Sequence, residues 1–200
     1  MYPLFETLCI ANGMVLHTDY HLRRIVISIK ELGIKNPGIN EKVLSSLAST
    51  VSPVGTFRCR FEYGENGYHS QTLEYTMPSV NTLKIVDGGS IDYKLKFTDR
   101  ATLEKLFDLR QGCDDILIVK EGCVTDTSVA NLILHDGKKW YTPDTPLLAG
   151  TARARWIHNG ILTECRIRVK DLENFSSFSL INALRSCFTP VFSDIRNIIL

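Results

Sequence analysis

An α+β chain of two domains is the architecture this sequence predicts, and three observations predict it. Apolar residues recur at helical spacing at Leu22, Ile25, Val26, Ile29 and Leu32. Phe57, Cys59, Phe61 and Tyr63 alternate with Arg58, Arg60 and Glu62, the pattern of a half-buried strand. Beyond residue 115, short apolar runs separated by turn residues take over. Asp87-Gly88-Gly89-Ser90 is the strongest linker signal. A small N-terminal α+β domain is therefore expected over residues 1–88 and a larger β-rich domain over residues 89–200.

The elements follow in order. Leu4 to Ile10 reads as a strand, Asn12-Gly13 as a hairpin turn, and Met14 to Leu16 as its return. Thr18 or Asp19 is placed to cap the helix that Gly33 ends, and Asn40 to cap a shorter one. Asn66-Gly67 turns the alternating strand into a partner, Tyr68 to Tyr75, and Leu83 to Val86 is a further strand. After the linker, Thr102 to Arg110 is helical with Leu103, Leu106 and Phe107 inward. Leu162 to Val169 and Phe178 to Ala183 read as strands, and Pro190 to Leu200 as a final strand or hairpin.

With 200 residues, 44% of them apolar and 22% charged, the chain can bury a core of its own. A net charge of +1 implies no polyelectrolyte partner, so no nucleic acid is expected. No apolar run approaches membrane-spanning length, and MYPLFETLCIANG lacks the basic start of a signal peptide, so a cytoplasmic location is expected. The six cysteines form no CxxC pair and no His-linked spacing, which suits reduced thiols and no metal.

The stretch from Asp115 to Arg153 organises the rest. Ile116 to Val119 is a buried-type run, Lys120-Glu121-Gly122 turns, and Cys123 to Thr125 begins another strand. Asp126 follows, with Asn131 five residues later opening Leu132 to Leu134. Asp136-Gly137 is a hairpin turn, and a proline-marked loop leads to Gly150-Thr151-Ala152-Arg153, a helix start with N–H groups suited to an anion. Asp126 alone is an ordinary turn residue, with Glu121 nearby as an alternative carboxylate. Lys94 and Lys96 compete as a candidate nucleophilic lysine, and Arg23 and Arg24 as a candidate anion ligand; each is equally a surface residue in isolation.

The set Val124-Thr125-Asp126, Asn131, Tyr141-Thr142-Pro143 and Gly150 to Arg153 resembles the core of the fold-type IV pyridoxal-phosphate enzymes. That family includes branched-chain and D-amino-acid aminotransferases and 4-amino-4-deoxychorismate lyases. The resemblance implies pyridoxal 5′-phosphate held between two domains, a homodimer, and a small-molecule substrate. It selects Lys96 as the cofactor lysine, because Lys96-Phe97-Thr98-Asp99-Arg100 is similar to the lyase pattern Lys-x-x-Asn-Arg, with Asp99 in place of Asn. It selects Arg24 for the phosphate through His21-Leu22-Arg23-Arg24, which resembles His-x-x-Arg. Asp126 stands where the family has a Glu paired with the pyridine nitrogen, one methylene shorter, with Asn131 beside it. Gly150, Thr151 and Ala152 would cradle the phosphate; Ala152 stands where a Thr is frequent. Arg100, and Asn182 of Asn182-Ala183-Leu184, would face the substrate, and Phe5-Glu6-Thr7 resembles the start of lyase-like members. The implied activity is conversion of aminodeoxychorismate to 4-aminobenzoate and pyruvate, a step of folate biosynthesis. A branched-chain or D-amino-acid aminotransferase, or a weakly active cofactor-binding protein, are the alternatives.

Overall fold

The computed structural model describes residues 2–200. The chain forms two compact units: one from the segment up to Met77 together with Leu95–Asp99, the other from Pro78–Lys94 and Arg100–Leu200.

In the first unit, strands β1 (Leu4–Ala11), β2 (Met14–Val15), β3 (Thr56–Gly64) and β4 (Gly67–Glu74) form an antiparallel sheet ordered β2-β1-β3-β4. The register pairs Leu4 with Tyr63 and Leu8 with Cys59. Alternation in β3 comes out as expected, with Cys59, Phe61 and Tyr63 fully buried. Helix α1 (Thr18–Glu31) packs Ile25 and Ile29 into the same core as Leu4, Leu8 and Leu95. Neither Thr18 nor Asp19 caps α1; the N-cap is His17 in the left-handed region at φ 56, and both expected caps lie in the first turn. Its end is the one read from sequence: Gly33, at φ +64, donates to Lys30 O, and Ile34 N donates to Ile29 O. Helix α2 (Glu41–Ser46) is capped by Asn40, whose side chain accepts from Val43 N.

The second unit is a nine-stranded sheet. Its strands are β5 (Leu83–Asp87), β6 (Asp115–Lys120), β7 (Cys123–Thr127), β8 (Asn131–His135), β9 (Trp140–Pro143), β10 (Leu162–Cys165), β11 (Ser177–Ile181), β12 (Ser193–Asp194) and β13 (Ile198–Ile199). The order is β10-β9-β8-β7-β6-β5-β13, with β11 also on β8 and β12 on β11. Helices α3 (Ala101–Phe107) and α4 (Thr151–His158) accompany it. Leu117, Val124, Leu132, Leu134 and Phe178 fill its core.

Three further expectations change. The strand from Leu162 stops at Cys165, and Val169–Asn174 winds into a 3-10 helix started by Asp171 accepting from Arg168 N. The segment after Pro190 is no hairpin: β12 and β13 flank a 3-10 turn, and β13 runs parallel to β5. The division between units falls at Met77, not at Gly88, and Leu95–Asp99, with Lys96 in it, groups with the first unit. The reason is local. Gly88 N donates to Val119 O, and Ile91 N donates to Gly88 O, so the glycine pair is pinned along β6 as part of the second unit.

A Cβ at Gly88 would stand 2.7 Å from Ile118 Cγ2 and 3.2 Å from both Ile91 Cγ2 and Lys120 Cγ. Gly88→Ala should therefore cost about 1–3 kcal/mol in urea unfolding through overpacking. Gly89, at φ +52 with open space around it, should cost about 1 kcal/mol on the same change through backbone strain alone. A Gly88→Ala protein as stable as wild type would return the segment to the status of a linker.

Candidate active site

Within the first unit, β1 carries Leu4, Glu6, Leu8 and Ile10 on one face, so Glu6 is the polar member of an apolar row. It is fully buried, and α1 provides its partners. His21 Nδ1 lies 2.6 Å from Glu6 Oε2. Arg24 closes a fork on the same carboxylate, Nε donating to Oε1 at 2.8 Å and the terminal NH2 group donating to Oε2. Burial by itself would raise the Glu6 pKa; the Arg24 charge and the hydrogen bonds from His21 and Arg24 outweigh it and lower the pKa to about 2. Burial lowers the pKa of His21, so the ring is neutral and Nδ1 carries the proton given to Glu6.

This geometry separates the competing cations. Arg23 is 66% exposed, pairs loosely with Asp19 at 3.9 Å and lies over the Tyr20 ring, whereas Arg24 is 13% exposed and bound to Glu6. Lys94 is exposed. Lys96 is half-buried, with Nζ 4.6 Å from the centroid of the Phe5 ring. Its segment is tied to β1, with Phe5 N donating to Lys96 O and Thr98 N to Pro3 O.

Within the second unit, β7 extends through Asp126, so this residue is a strand residue and not a turn one. Its carboxyl is buried and both oxygens are engaged: Asn131 Nδ2 donates to Oδ1 at 2.7 Å, and Leu148 N donates to Oδ2 at 2.9 Å. Asn131 Nδ2 also donates to Leu148 O at 3.0 Å, so Asp126, Asn131 and Leu148 close a ring of bonds. Burial raises the Asp126 pKa to about 6 against those two bonds and the Arg153 charge. Glu121, exposed at φ 52 in the β6–β7 turn, is not part of this arrangement.

Gly150 is the N-cap of α4, and no side chain caps that helix. A Cβ there would stand 1.9 Å from Asn131 Oδ1, so only glycine lets the helix start this close to the Asp126–Asn131 pair. The first N–H groups of α4, those of Thr151 and Ala152 among them, have no acceptor within the helix. Arg153 ties α4 to β9 and β10: its NH2 group donates to Pro143 O at 2.8 Å and to Glu164 Oε1 at 2.5 Å.

Arg100 and Asn182 meet at one place, the β7–β8 turn. Arg100 donates to Ser128 O at 2.8 Å, and Asn182 Nδ2 donates to Val129 O at 3.2 Å. Two participants had no role assigned from sequence. Glu6 was detectable as a lone carboxylate at even spacing among Leu4, Leu8 and Ile10; Asp115, which accepts from Ser128 N at 3.3 Å, carried only the weak signal of an acid before an apolar run.

Among the described residues, no helix is long and apolar enough to cross a membrane, and no three His, Cys, Asp or Glu side chains gather as a metal site. All six cysteines are free thiols.

Residues 3–191 match the model of the amino-transferase class IV family. An uncharacterized protein of Haemophilus influenzae is 41% identical over 92% of this chain and 98% of its own length. A crystal structure from Haemophilus somnus 129PT, described as a "putative 4-amino-4-deoxychorismate lyase", is 34% identical, with a TM-score of 0.85 over 92% of this chain and 97% of that one. A "putative amino-acid aminotransferase" from Mesorhizobium loti shares the fold at 24% identity, with a TM-score of 0.80 over 96% of this chain and 98% of that one.

The two buried carboxyls titrate in opposite senses. Asp126 has a folded pKa near 6, above its unfolded value of 3.8, so its contribution is fully present below about pH 4 and is lost as the pH rises through 6. Glu6, lowered to about 2, contributes above its ordinary value of 4.5 and loses that contribution as the pH falls toward 2. Each swing is about 3 kcal/mol. Stability of wild type should fall from pH 4 to 7, and Asp126→Asn should lack that slope. An identical slope in both proteins would mean that Asp126 is ionised throughout.

Proposed function

The chain belongs to the aminotransferase class IV family, and from that premise we propose a pyridoxal-phosphate lyase that converts 4-amino-4-deoxychorismate to 4-aminobenzoate and pyruvate. The observation that carries the cofactor reading is the buried Asp126–Asn131 pair beside the glycine-led start of α4. It supplies a carboxylate for a cationic ring and N–H donors for a phosphate, and any side chain at residue 150 would obstruct it. The residues fit pyridoxal 5′-phosphate, which when bound supplies an electron-withdrawing ring that stabilises negative charge beside the substrate amine.

Arg24 and the N–H groups of Thr151 and Ala152 would hold the phosphate. Glu6 fixes the Arg24 guanidinium in plane and position. Asp126, ionised, would pair with the ring nitrogen, and that cationic neighbour would favour its charged form. Asn131 and Leu148 hold the two carboxylate oxygens in place. Lys96 in its neutral form uses Nζ to take the proton from the amine-bearing carbon. Once that proton is lost, the C–O bond at the neighbouring ring carbon breaks, the enolpyruvyl group leaves with the electron pair as the enolate of pyruvate and takes up a proton, and the ring becomes aromatic. The choice of lyase is supported by the Lys96–Arg100 spacing, by Asn182-Ala183-Leu184, and by likeness to the Haemophilus somnus protein over nearly its whole length. A homodimer working in the cytoplasm, feeding folate biosynthesis, belongs to the same reading.

The purified protein with its cofactor should release pyruvate from aminodeoxychorismate with no amino acceptor present, and Lys96→Ala should abolish the release. No pyruvate, together with a cofactor absorbance that changes on adding an amino acid and returns on adding a keto acid, would replace the lyase with an aminotransferase. Borohydride reduction and peptide mapping should label Lys96; a label on Lys94 would overturn the lysine assignment.

Asp126→Asn should keep the cofactor and lose most turnover, on the order of 100-fold or more, because a neutral amide does not hold a proton on the ring. Unchanged turnover would place the ring's partner elsewhere.

A further inference from the structure

The β7–β8 connection is where the geometry points beyond the family pattern. The two strands pair at a single position, Asp126 with Asn131. No longer ladder fixes how these side chains meet, so their alignment depends on the turn that joins them. That turn is closed internally by Thr127, whose N–H donates to Ala130 O at 2.9 Å and whose Oγ1 accepts from Ala130 N at 3.2 Å.

Three side chains from outside then grip it. Asp115, at the start of β6 and only 2% exposed, accepts from Ser128 N at 3.3 Å. Arg100, at the N-cap of α3, donates to Ser128 O at 2.8 Å and reaches the Tyr93 hydroxyl at 3.4 Å. Asn182, just after β11, donates to Val129 O at 3.2 Å, while its Oδ1 accepts from Leu184 N at 3.0 Å and Arg185 N at 2.9 Å. The Asn182 side-chain oxygen thus holds two backbone N–H groups while its nitrogen holds the turn. The Ser128 and Val129 carbonyls are thus held by donors from separate elements.

We propose that Arg100 and Asn182 are positioning residues which clamp the β7–β8 turn, and through it hold Asp126 against Asn131 and Leu148. Their part in turnover rests on the lyase reading above, but the clamp itself is a property of the cofactor-free protein and is testable there.

Two variants isolate the clamp. Asn182→Asp keeps an oxygen for Leu184 N and Arg185 N but cannot donate to Val129 O. Arg100→Met keeps the aliphatic stem and removes the donors to Ser128 O. Amide hydrogen exchange in the cofactor-free proteins reads the result at Leu148, whose N–H is bonded to Asp126. Each variant should speed exchange at Leu148 by about tenfold while amides in the centre of β6, such as Ile118, stay as protected as in wild type. The double variant should show less than the product of the two single effects, since either loss already frees the same turn. With cofactor and substrate, both variants should lower kcat with little change in KM. Unchanged exchange at Leu148 in both variants would overturn the proposal, and a raised KM beside it would make these two residues substrate ligands instead. A rise at Ile118 as large as at Leu148 would also overturn it, by showing general loosening.

Discussion

The second unit depends on keeping one carboxyl group out of water without leaving it unbonded. Asp126 sits inside a strand whose five residues are all buried. An isolated carboxylate there is costly, and the protein offsets the cost with two donors, one from a side chain and one from a loop backbone. The loop bond draws Leu148 to the β7–β8 hairpin, and Leu148 leads within two residues to Gly150 and the start of α4. The absence of a side chain at Gly150 follows from the same crowding, since Asn131 Oδ1 occupies the space a Cβ would need. Strand, loop and helix start are therefore fixed by one set of bonds.

The first unit solves the matching problem differently. Glu6 is also fully buried, but a guanidinium and an imidazole N–H satisfy it, and its pKa moves down where that of Asp126 moves up. The contrast has a physical origin: Asp126 has only neutral donors in contact, whereas Glu6 has a full positive charge in a two-bond fork. A carboxyl with neutral partners retains capacity to respond to an added cation. One already neutralised serves as an anchor for its arginine.

Much of the fold was legible because short-range rules governed it. The alternation in β3, the glycine stop of α1 and the Asn40 cap each depend on neighbours a few residues away. The elements misread were those decided by distant partners. Asp87 to Ser90 has linker composition, yet Gly88 is bonded to Val119. The tail after Pro190 splits because β13 finds β5, far away in sequence. Sequence spacing likewise separated Arg24 from Arg23 and Lys96 from Lys94 only through resemblance; the fold adds that Arg23 and Lys94 are exposed while Arg24 and Lys96 are partly buried. Arg100 and Asn182 were legible as a pair of interest, but that both reach the same turn follows from the placement of α3 and β11, which no local pattern encodes.

The return of Leu95–Asp99 to the first unit bears on how the chain is made. Leu95 belongs to the core that β1, β3 and α1 build, and Phe97 packs against it. During vectorial synthesis that core stays incomplete until a segment well beyond Met77 has left the ribosome, by which time the second unit has begun to emerge. The first unit is thus sealed late, by a plug that the nascent chain delivers only after starting its neighbour. A nascent chain halted before Leu95 would lack the side chain that completes this core.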